Sequence, residues 1–178
     1  PIGAGGLRMI PFGNGAERIL ENRNVEASIH GWSFNTQNYA HILRAAQEGI
    51  AFSLNYGVNI MREMGLELNT IRAGEANLFL SPLFREIFAS VIGTQLELYN
   101  TDGSQGAARA AGLGAGIYRN FEEAFVSLQR RKIIEPQASH QTLYSEVYDN
   151  WCDVLSSLPE MGGHIPSHSN INRCRRIT

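Results

Sequence analysis

Two turns, each between a predicted strand and a predicted helix, contain the residues of this sequence whose types and spacing best suit the binding of a ligand. The first turn, Asn100–Gly103, follows the alternating segment Gln95–Tyr99 and precedes Ser104–Ile117, which is rich in alanine and glycine. The alternation of polar and apolar residues predicts a half-buried strand. The Asn, Asp and Gly residues that follow are typical of a tight turn, and the small residues after them favour a helix. The free N–H groups at the start of such a helix can bind an anion. The same spacing is also typical of close packing between a helix and a sheet, so both interpretations stay open.

The second turn lies between a predicted strand and a strongly marked helix start. Thr70–Gly74 has the composition of a short buried strand, and Ser81 followed by Pro82 is a favourable N-cap and first helical residue. Two successive strand–turn–helix units predict neighbouring parallel strands whose turns leave the same edge of a sheet. The pattern therefore predicts a ligand site between Gly74–Ser81 and Asn100–Gly106.

Composition and charge limit the classes of protein to which the chain can belong. The chain has 178 residues, enough for one domain with a hydrophobic core, and a formal net charge of −2. We expect no nucleic-acid partner and no membrane association, because the charge is small and no apolar run approaches the ~20 residues of a membrane span. Cys152 and Cys174 do not form a disulfide framework, so a reducing cytoplasm is the expected compartment. The first residue is not Met, and both a mature start and a piece of a longer protein stay open.

Amphipathic and apolar segments supply the frame around the two turns. The sequence predicts a long helix that is capped by Asn35–Thr36 and ends at Gly65, with one apolar stripe along it. Gly49 and Gly57 inside this helix indicate close packing or a bend. In the predicted helix Phe121–Arg130, the cationic end complements the helix dipole. The other predicted strands and helices are Gly6–Phe12, Ala27–Ser33, Pro82–Ile92 and His140–Leu155.

The last part of the chain, residues 156–178, differs in composition from residues 1–155 and is predicted to be an irregular tail. Four side chains near it have the types that bind zinc, namely Cys152, His164, His168 and Cys174. Their spacing matches no compact zinc site, so we expect no metal site from them. The sequence also has no P-loop, nucleophile elbow or zinc-protease helix, and no catalytic residue is assigned within it.

Four segments, taken in order, resemble one known family. They are Leu7–Arg18, with its apolar run, Pro-Phe and Glu-Arg; the helix His41–Phe52, HILRAAQEGIAF; the strand, loop and helix of Ile71–Arg85; and the small-residue helix Gly106–Tyr118. Together they resemble the C-terminal lobe of the FGGY carbohydrate kinases, and within that family xylulose kinases most closely. The helix is the most specific match, and the resemblance covers about Gly6–Leu155.

The resemblance implies a helix-rich α/β fold that forms part of an actin-like ATPase lobe of the ribonuclease-H-like type. It implies that two lobes close around a sugar substrate, with ATP and Mg²⁺ as cofactors. A carboxylate outside this chain would remove a proton from the sugar hydroxyl, which attacks the γ-phosphate. By position, the residues that would line the adenosine side are Gly74, Ala76, Asn77 and Ser81, with Asn100, Asp102 and Gly103 beside them.

Two departures from the family pattern lead to further expectations. Where the family commonly has a run of glycines, this chain has the longer and bulkier loop Glu75–Leu80. A carboxylate at Glu75 would repel a triphosphate unless metal or solvent intervenes, so replacing it with Gly is expected to tighten nucleotide binding. The family's catalytic aspartate and phosphate-binding turns match nothing in this sequence, so the chain alone is not expected to phosphorylate a sugar.

For the whole protein the resemblance implies that ATP phosphorylates a sugar, with D-xylulose converted to xylulose 5-phosphate. This chain would supply part of the ATP site. Two other hypotheses stay open. An actin-like lobe that no longer binds nucleotide would serve as a partner surface or homodimer surface, which the bulky loop Glu75–Leu80 favours. A glycerol or ribulose kinase lobe would carry the same motifs, because the sugar is chosen largely by the other lobe.

Overall fold

The computed structural model describes residues 1–159 and Cys174 as a mixed α/β fold. The strands are β1 (Arg8–Ile10), β2 (Ala16–Glu17), β3 (Arg23–Asn24), β4 (Ser28–His30), β5 (Thr70–Gly74), β6 (Gln95–Tyr99) and β7 (Arg130–Ile134). The α-helices are α1 (Tyr39–Glu63), α2 (Pro82–Ile92), α3 (Gly103–Gly114), α4 (Phe121–Phe125) and α5 (Ala138–Ser157). Short 3-10 segments are Ile2–Gly6, Arg18–Leu20 and Asn77–Leu80. The predicted helix-rich α/β class is confirmed.

Strands β5, β6 and β7 form the sheet from which the two predicted turns emerge. β5 and β6 run parallel, with Thr70 opposite Gln95 and Gly74 opposite Tyr99. Leu98, near the end of β6, is fully buried in the main hydrophobic core. The predicted parallel pair is confirmed, and because the strands are parallel the turns that follow them lie at the same edge.

Strand β7 occupies a segment for which the sequence predicts the end of a helix. α4 ends before this segment, and β7 pairs antiparallel with β6. The cationic side chains of β7 bind carboxylates of the sheet and its loops instead of complementing a helix dipole. Arg130 Nη1 lies 2.5 Å from Glu97 Oε1. Lys132 Nζ lies 2.6 Å from Glu75 Oε1. The predicted helix up to Arg130 is therefore wrong, because tertiary ion pairs and strand pairing override the local charge pattern.

The start of α1 also differs from its prediction. Asn38 Oδ1 accepts the N–H of Ala40 over 3.0 Å, and His41 Nδ1 accepts the N–H of Asn38 over 3.2 Å. This reciprocal cap satisfies two free N–H groups at once, so the helix starts here and not after Asn35–Thr36. Gly65 follows the helix with φ of +83°, as predicted for a residue that closes a helix.

Helices α1, α2 and α5 enclose the main hydrophobic core. The ring of Phe52 in α1 lies against Tyr148 and Trp151 of α5, with centroids 5.6 and 6.0 Å apart. The indole N–H of Trp151 donates to the carbonyl oxygen of Met9 over 2.8 Å, which ties α5 to β1. This core supports α2 from behind and so fixes the position of the turn that precedes it.

Cys152 of α5 forms a disulfide with Cys174, with Cα atoms 5.6 Å apart. Both side chains are buried, at 1% and 4% exposure. Nothing in the sequence predicts this bond, because two cysteines do not make a disulfide framework. His164, His168 and most of the predicted tail, residues 156–178, lie outside the described residues.

Neither a membrane-spanning helix nor a cluster of metal ligands occurs among the described residues 1–159 and Cys174. Within them, none of the helices has both the length and the apolar character that crossing a membrane requires. Within the same residues, no three His, Cys, Asp or Glu side chains are grouped so that they could hold a metal ion.

Candidate functional site

The turns that follow β5 and β6 touch each other. A Cβ atom built on Gly74 would collide with the carbonyl of Thr101 and lie 3.3 Å from the Cα of Asp102. The N–H of Glu75 donates to the carbonyl oxygen of Tyr99 over 2.8 Å, which extends the pairing of the two strands into the turns. The structure therefore brings the start of Gly74–Ser81 against the start of Asn100–Gly106, at the one sheet edge that the sequence predicts.

The loop after β5 carries the first group of predicted site residues. The N–H of Ala76 donates to the carbonyl oxygen of Gly74 over 2.8 Å. Asn77 is exposed and has φ of +51°, a left-handed conformation that Asn tolerates better than most residues. Ser81 is the N-cap of α2, as predicted: its Oγ accepts the N–H of Phe84 over 3.2 Å. The loop thus presents Asn77 outward while Ser81 fixes the start of the helix.

The turn after β6 carries the second group. Asn100 binds the segment before β7, because its Oδ1 accepts the N–H of Gln129 over 2.6 Å and its Nδ2 donates to the carbonyl oxygen of Ser127 over 3.1 Å. Asp102 is the N-cap of α3, where its Oδ1 accepts the N–H of Gln105 over 2.8 Å. Gly103 is the first residue of α3, and a Cβ built on it meets no atom within 4 Å. Open space at the start of α3 therefore lies beside Gly103.

The hydrogen bonds that Asp102 accepts as the N-cap of α3 lower the pKa of its carboxyl group. A hydrogen bond from the Ser104 hydroxyl, followed by one from the Gln105 backbone, lowers the pKa of Asp102. Ser104 Oγ lies 2.6 Å from Asp102 Oδ1. Both donors bind the same oxygen, Oδ1, so the main role of Asp102 in this structure is to cap α3.

Glu75, which the sequence leads us to regard as a repulsive charge, is bound by two cations. Its Oε1 lies 3.0 Å from Arg85 Nη2 and 2.6 Å from Lys132 Nζ. The hydrogen bond from Lys132 is the largest of the causes that lower the pKa of Glu75. The carboxylate is therefore ionised at neutral pH, and its charge is balanced within the protein.

A second charged cluster lies on the sheet next to the site. Glu97 is 5% exposed, and its carboxylate receives hydrogen bonds from Tyr99 Oη at 2.8 Å, Arg130 Nη1 at 2.5 Å and Arg72 Nε at 3.1 Å. The bond from Tyr99, ahead of those from the arginines, lowers the pKa of Glu97 and raises the pKa of Tyr99. This cluster joins all three strands of the sheet and supports the edge at which the turns emerge.

A cavity of about 270 Å³ lies between α3 and α4. Arg109 of α3 borders it, with its guanidinium 5.6 Å from the centroid of the Phe125 ring. Arg109 Nη1 also donates to Thr101 Oγ1 over 2.7 Å. The cavity is therefore linked through one side chain to the turn after β6.

The fold, with its two paired strand–turn–helix units, is similar to one part of solved sugar kinases that have the actin-like ATPase fold. The xylulose kinase of Lactobacillus acidophilus, in a ligand-bound crystal structure, superimposes with a TM-score of 0.71 at 19% identity, over 86% of this chain and 31% of that chain. The glycerol kinase of Plasmodium falciparum, solved with ADP, superimposes with a TM-score of 0.64 at 25% identity, over 89% of this chain and 32% of that chain. The predicted actin-like fold is confirmed.

Curated relatives identify a narrower resemblance. The L-xylulose/3-keto-L-gulonate kinase of Escherichia coli is 31% identical over 176 residues, 95% of this chain and 34% of the relative. The xylulose kinase of Haemophilus influenzae is 30% identical over 170 residues, 89% of this chain and 32% of the relative. The chain thus spans about one third of the length of these relatives. No protein-family model matches it. The predicted resemblance to FGGY carbohydrate kinases, xylulose kinases most closely, is confirmed.

Sequence reasoning missed the cations that organise the site. Arg85 lies near the start of α2, where a positive charge is unfavourable to the helix dipole, and that anomaly could have pointed to a nearby carboxylate. Lys132 and Arg130 lie in a strand for which the sequence predicts a helix end, so the pattern gives no reason to look for their partners. Gly74, by contrast, is a predicted site residue, and it lies where the two turns approach each other most closely.

Proposed function

We propose that this chain is the nucleotide-binding part of a carbohydrate kinase that transfers the γ-phosphate of ATP to a sugar. The observation that carries the proposal is the contact between the two strand–helix turns at Gly74 and Thr101. In a parallel α/β sheet, ligands bind at this edge. The relatives named above, which are sugar kinases, support the same class of reaction.

The residues of the chain would act by binding and positioning the nucleotide. Gly74 leaves no side chain between the turns, and the open space at Gly103 admits a ligand at the start of α3. Asn77 is exposed at the same edge and would contact the adenosine side, together with Ala76 and the helix start at Ser81. Asn100 and Asp102 would keep the second turn in shape from beside it.

Mg²⁺ would neutralise phosphate charge when it is bound with ATP. The described residues contain no group of three or more acidic, His or Cys side chains that could hold a metal ion. Because Mg²⁺ keeps several waters and binds substrate phosphates, waters and phosphates together would supply most of its ligands. The sugar and the carboxylate that deprotonates it would be bound by a part of the protein outside this chain, so the chain alone would be inactive.

We propose D-xylulose as the sugar, because xylulose kinases recur among the relatives, at 30% identity in Haemophilus influenzae and 27% in Bacillus subtilis. A glycerol kinase of Coxiella burnetii is 26% identical over 149 residues, which keeps glycerol as the alternative substrate. Assays of the longer protein with D-xylulose, glycerol and ribulose would decide among these by kcat/KM. We propose the cytoplasm as the compartment, since ATP and free sugars are available there.

Calorimetric titration of the chain with ADP, with and without Mg²⁺, tests the nucleotide site directly. Saturable binding by a chain that is shown to be folded is the expected result. Absence of heat, combined with absence of an ADP-induced shift in thermal midpoint, would contradict a nucleotide site in this chain.

An interaction role is the second candidate, and a specific surface favours it. The outer side of α1 exposes Tyr39 at 71%, Leu43 at 46% and Leu54 at 44%. Light scattering after size-exclusion chromatography would detect a homodimer formed by this surface. A dimer that dissociates after Leu43→Glu, in a chain without affinity for ADP, would favour the interaction role over the kinase role.

A further inference from the structure

The loop between β5 and α2, residues Glu75–Leu80, departs from the run of glycines expected in this position. It is longer and carries bulky side chains, so it needs contacts that fix its backbone. Phe79 supplies an apolar contact, because its ring meets Phe84 and Phe88 edge to face at centroid distances of 5.4 and 5.2 Å. That contact fixes only the end of the loop.

Arg85 joins the two ends of the loop. Its Nη2 lies 3.0 Å from Glu75 Oε1, and its Nε donates to the carbonyl oxygen of Phe79. Arg85 is only 7% exposed, although it lies near the start of α2, where the helix dipole disfavours a cation. Its position is therefore explained by its contacts with the loop and not by helix stability.

Lys132 joins the loop to the sheet. Its Nζ lies 2.6 Å from the same Oε1 atom of Glu75, although the two residues are 57 positions apart in the chain. One carboxylate oxygen thus links the loop, α2 and β7. The backbone N–H of Glu75 is also bound, to the carbonyl oxygen of Tyr99 over 2.8 Å. Glu75 is consequently the residue on which the start of the loop depends.

We propose that Glu75 is a positioning residue for the nucleotide site, held by Arg85 and Lys132. It would not contact the nucleotide; it would keep the loop in the conformation that exposes Asn77 beside the turn at Gly103. This inference rests on the proposed function. It reverses the sign of the expectation from the sequence, because a repulsive Glu75 would weaken nucleotide binding and a positioning Glu75 strengthens it.

The opposite signs make Glu75→Gln the decisive variant. The chain would be titrated with Mg²⁺-ADP by calorimetry as wild type, as Glu75→Gln and as Glu86→Gln. Glu86 is the matched control, because it is also a partly buried glutamate and follows Arg85 in α2, but its carboxylate lies 3.0 Å from His140 Nδ1 and does not contact the loop's cations. We expect Glu75→Gln to weaken ADP binding about tenfold through loss of preorganisation, and Glu86→Gln to bind like wild type.

Lys132 gives a second test. Its side chain is 49% exposed to solvent, so its substitution is less able to disturb folding. Lys132→Met is expected to bind ADP more weakly than wild type. Lys132→Arg keeps the positive charge and is expected to bind ADP like wild type. Amide hydrogen exchange of residues 75–81 adds a readout without ligand. Exchange there should be faster in Glu75→Gln than in Glu86→Gln, with equal exchange elsewhere.

The outcomes separate the inference from the proposed function. ADP affinity that is unchanged or higher in Glu75→Gln would overturn the positioning role, and higher affinity would establish repulsion. If the folded wild-type chain binds no ADP, the proposed function is overturned and the positioning role for nucleotide falls with it. Hydrogen exchange in the loop would then still decide whether Glu75 holds the loop.

Discussion

Residues around the two turns are of two kinds. Some have side chains that hydrogen-bond to backbone groups, and others have no side chain and leave room for a ligand. Ser81, Asn100 and Asp102 bond neighbouring backbone groups. Substituting them would change the shape of the turns as well as any ligand contact. Gly103 has no side chain to make such a bond, and a Cβ built there meets nothing within 4 Å. It is the cleanest probe of ligand occupancy.

Gly103→Val is expected to fold normally and to lose ADP affinity. The added side chain enters open space at the first residue of α3, so the fold tolerates it, while a bound nucleotide would collide with it. Gly114→Val, at the far end of α3 and also in open space, is the matched control. Calorimetry with ADP and the thermal midpoints of both variants provide the measurement. Equal ADP affinity in the two variants would show that no ligand occupies the start of α3.

The lowered pKa of Glu97 predicts how the free energy of unfolding changes with pH. A carboxyl group with a lower pKa in the folded state contributes stability above its unfolded pKa, about 4.3, and loses it as the pH falls through the folded value. Wild type should therefore unfold at higher urea concentration than Glu97→Gln at pH 7. The difference should shrink as the pH falls below about 4. A difference that is constant from about pH 7 to about pH 3 would contradict this role.

At the scale of elements, the stability of the fold depends on the close approach of α1 to β1. A Cβ on Gly49 would collide with the carbonyl oxygen of Met9, whereas a Cβ on Gly57 meets nothing within 4 Å. Gly49→Ala is expected to lower the free energy of unfolding by about 1–3 kcal/mol, because the backbone must shift. Gly57→Ala is expected to raise it by up to about 1 kcal/mol, since Ala favours a helix. Urea unfolding of both variants checks this, and equal effects would exclude the close approach.

The elements also show what the sequence can predict and why the rest escapes it. α2 is predicted with its bounds, because Ser81, Pro82 and Gly93 are local signals that act within a few residues. β7 is missed, because its partners lie far along the chain: Lys132 binds Glu75 across 57 residues. The same holds for the candidate site: the turn that contains Gly74 is predicted from the sequence, but the cations that bind Glu75 are not. Local signals and the repeated strand–turn–helix pattern, which predicts the β5–β6 pair, are readable from the sequence, whereas ion pairs between distant residues are not.

At the scale of the whole molecule, the disulfide bears on the compartment. Cysteines of cytoplasmic proteins are normally kept reduced, so a Cys152–Cys174 bond that persists in cells would count against the proposed cytoplasm. Trapping the thiols with an alkylating reagent at lysis, followed by mass spectrometry, would give the oxidised fraction. A chain that is fully reduced in cells would agree with the cytoplasm, and the two cysteines would then be buried free thiols.

The same bond leads to a stability prediction for the purified chain. It joins residues 22 apart, and closing a loop of that length is expected to stabilise the fold by about 3 kcal/mol through the unfolded state. Addition of dithiothreitol should lower the free energy of urea unfolding of oxidised wild type by that amount. Cys174→Ser should start at the lower value and should not respond to the reductant. A wild type that responds no more than Cys174→Ser would show that the cross-link does not restrict the unfolded chain, and the entropic account of its stabilisation would then be wrong.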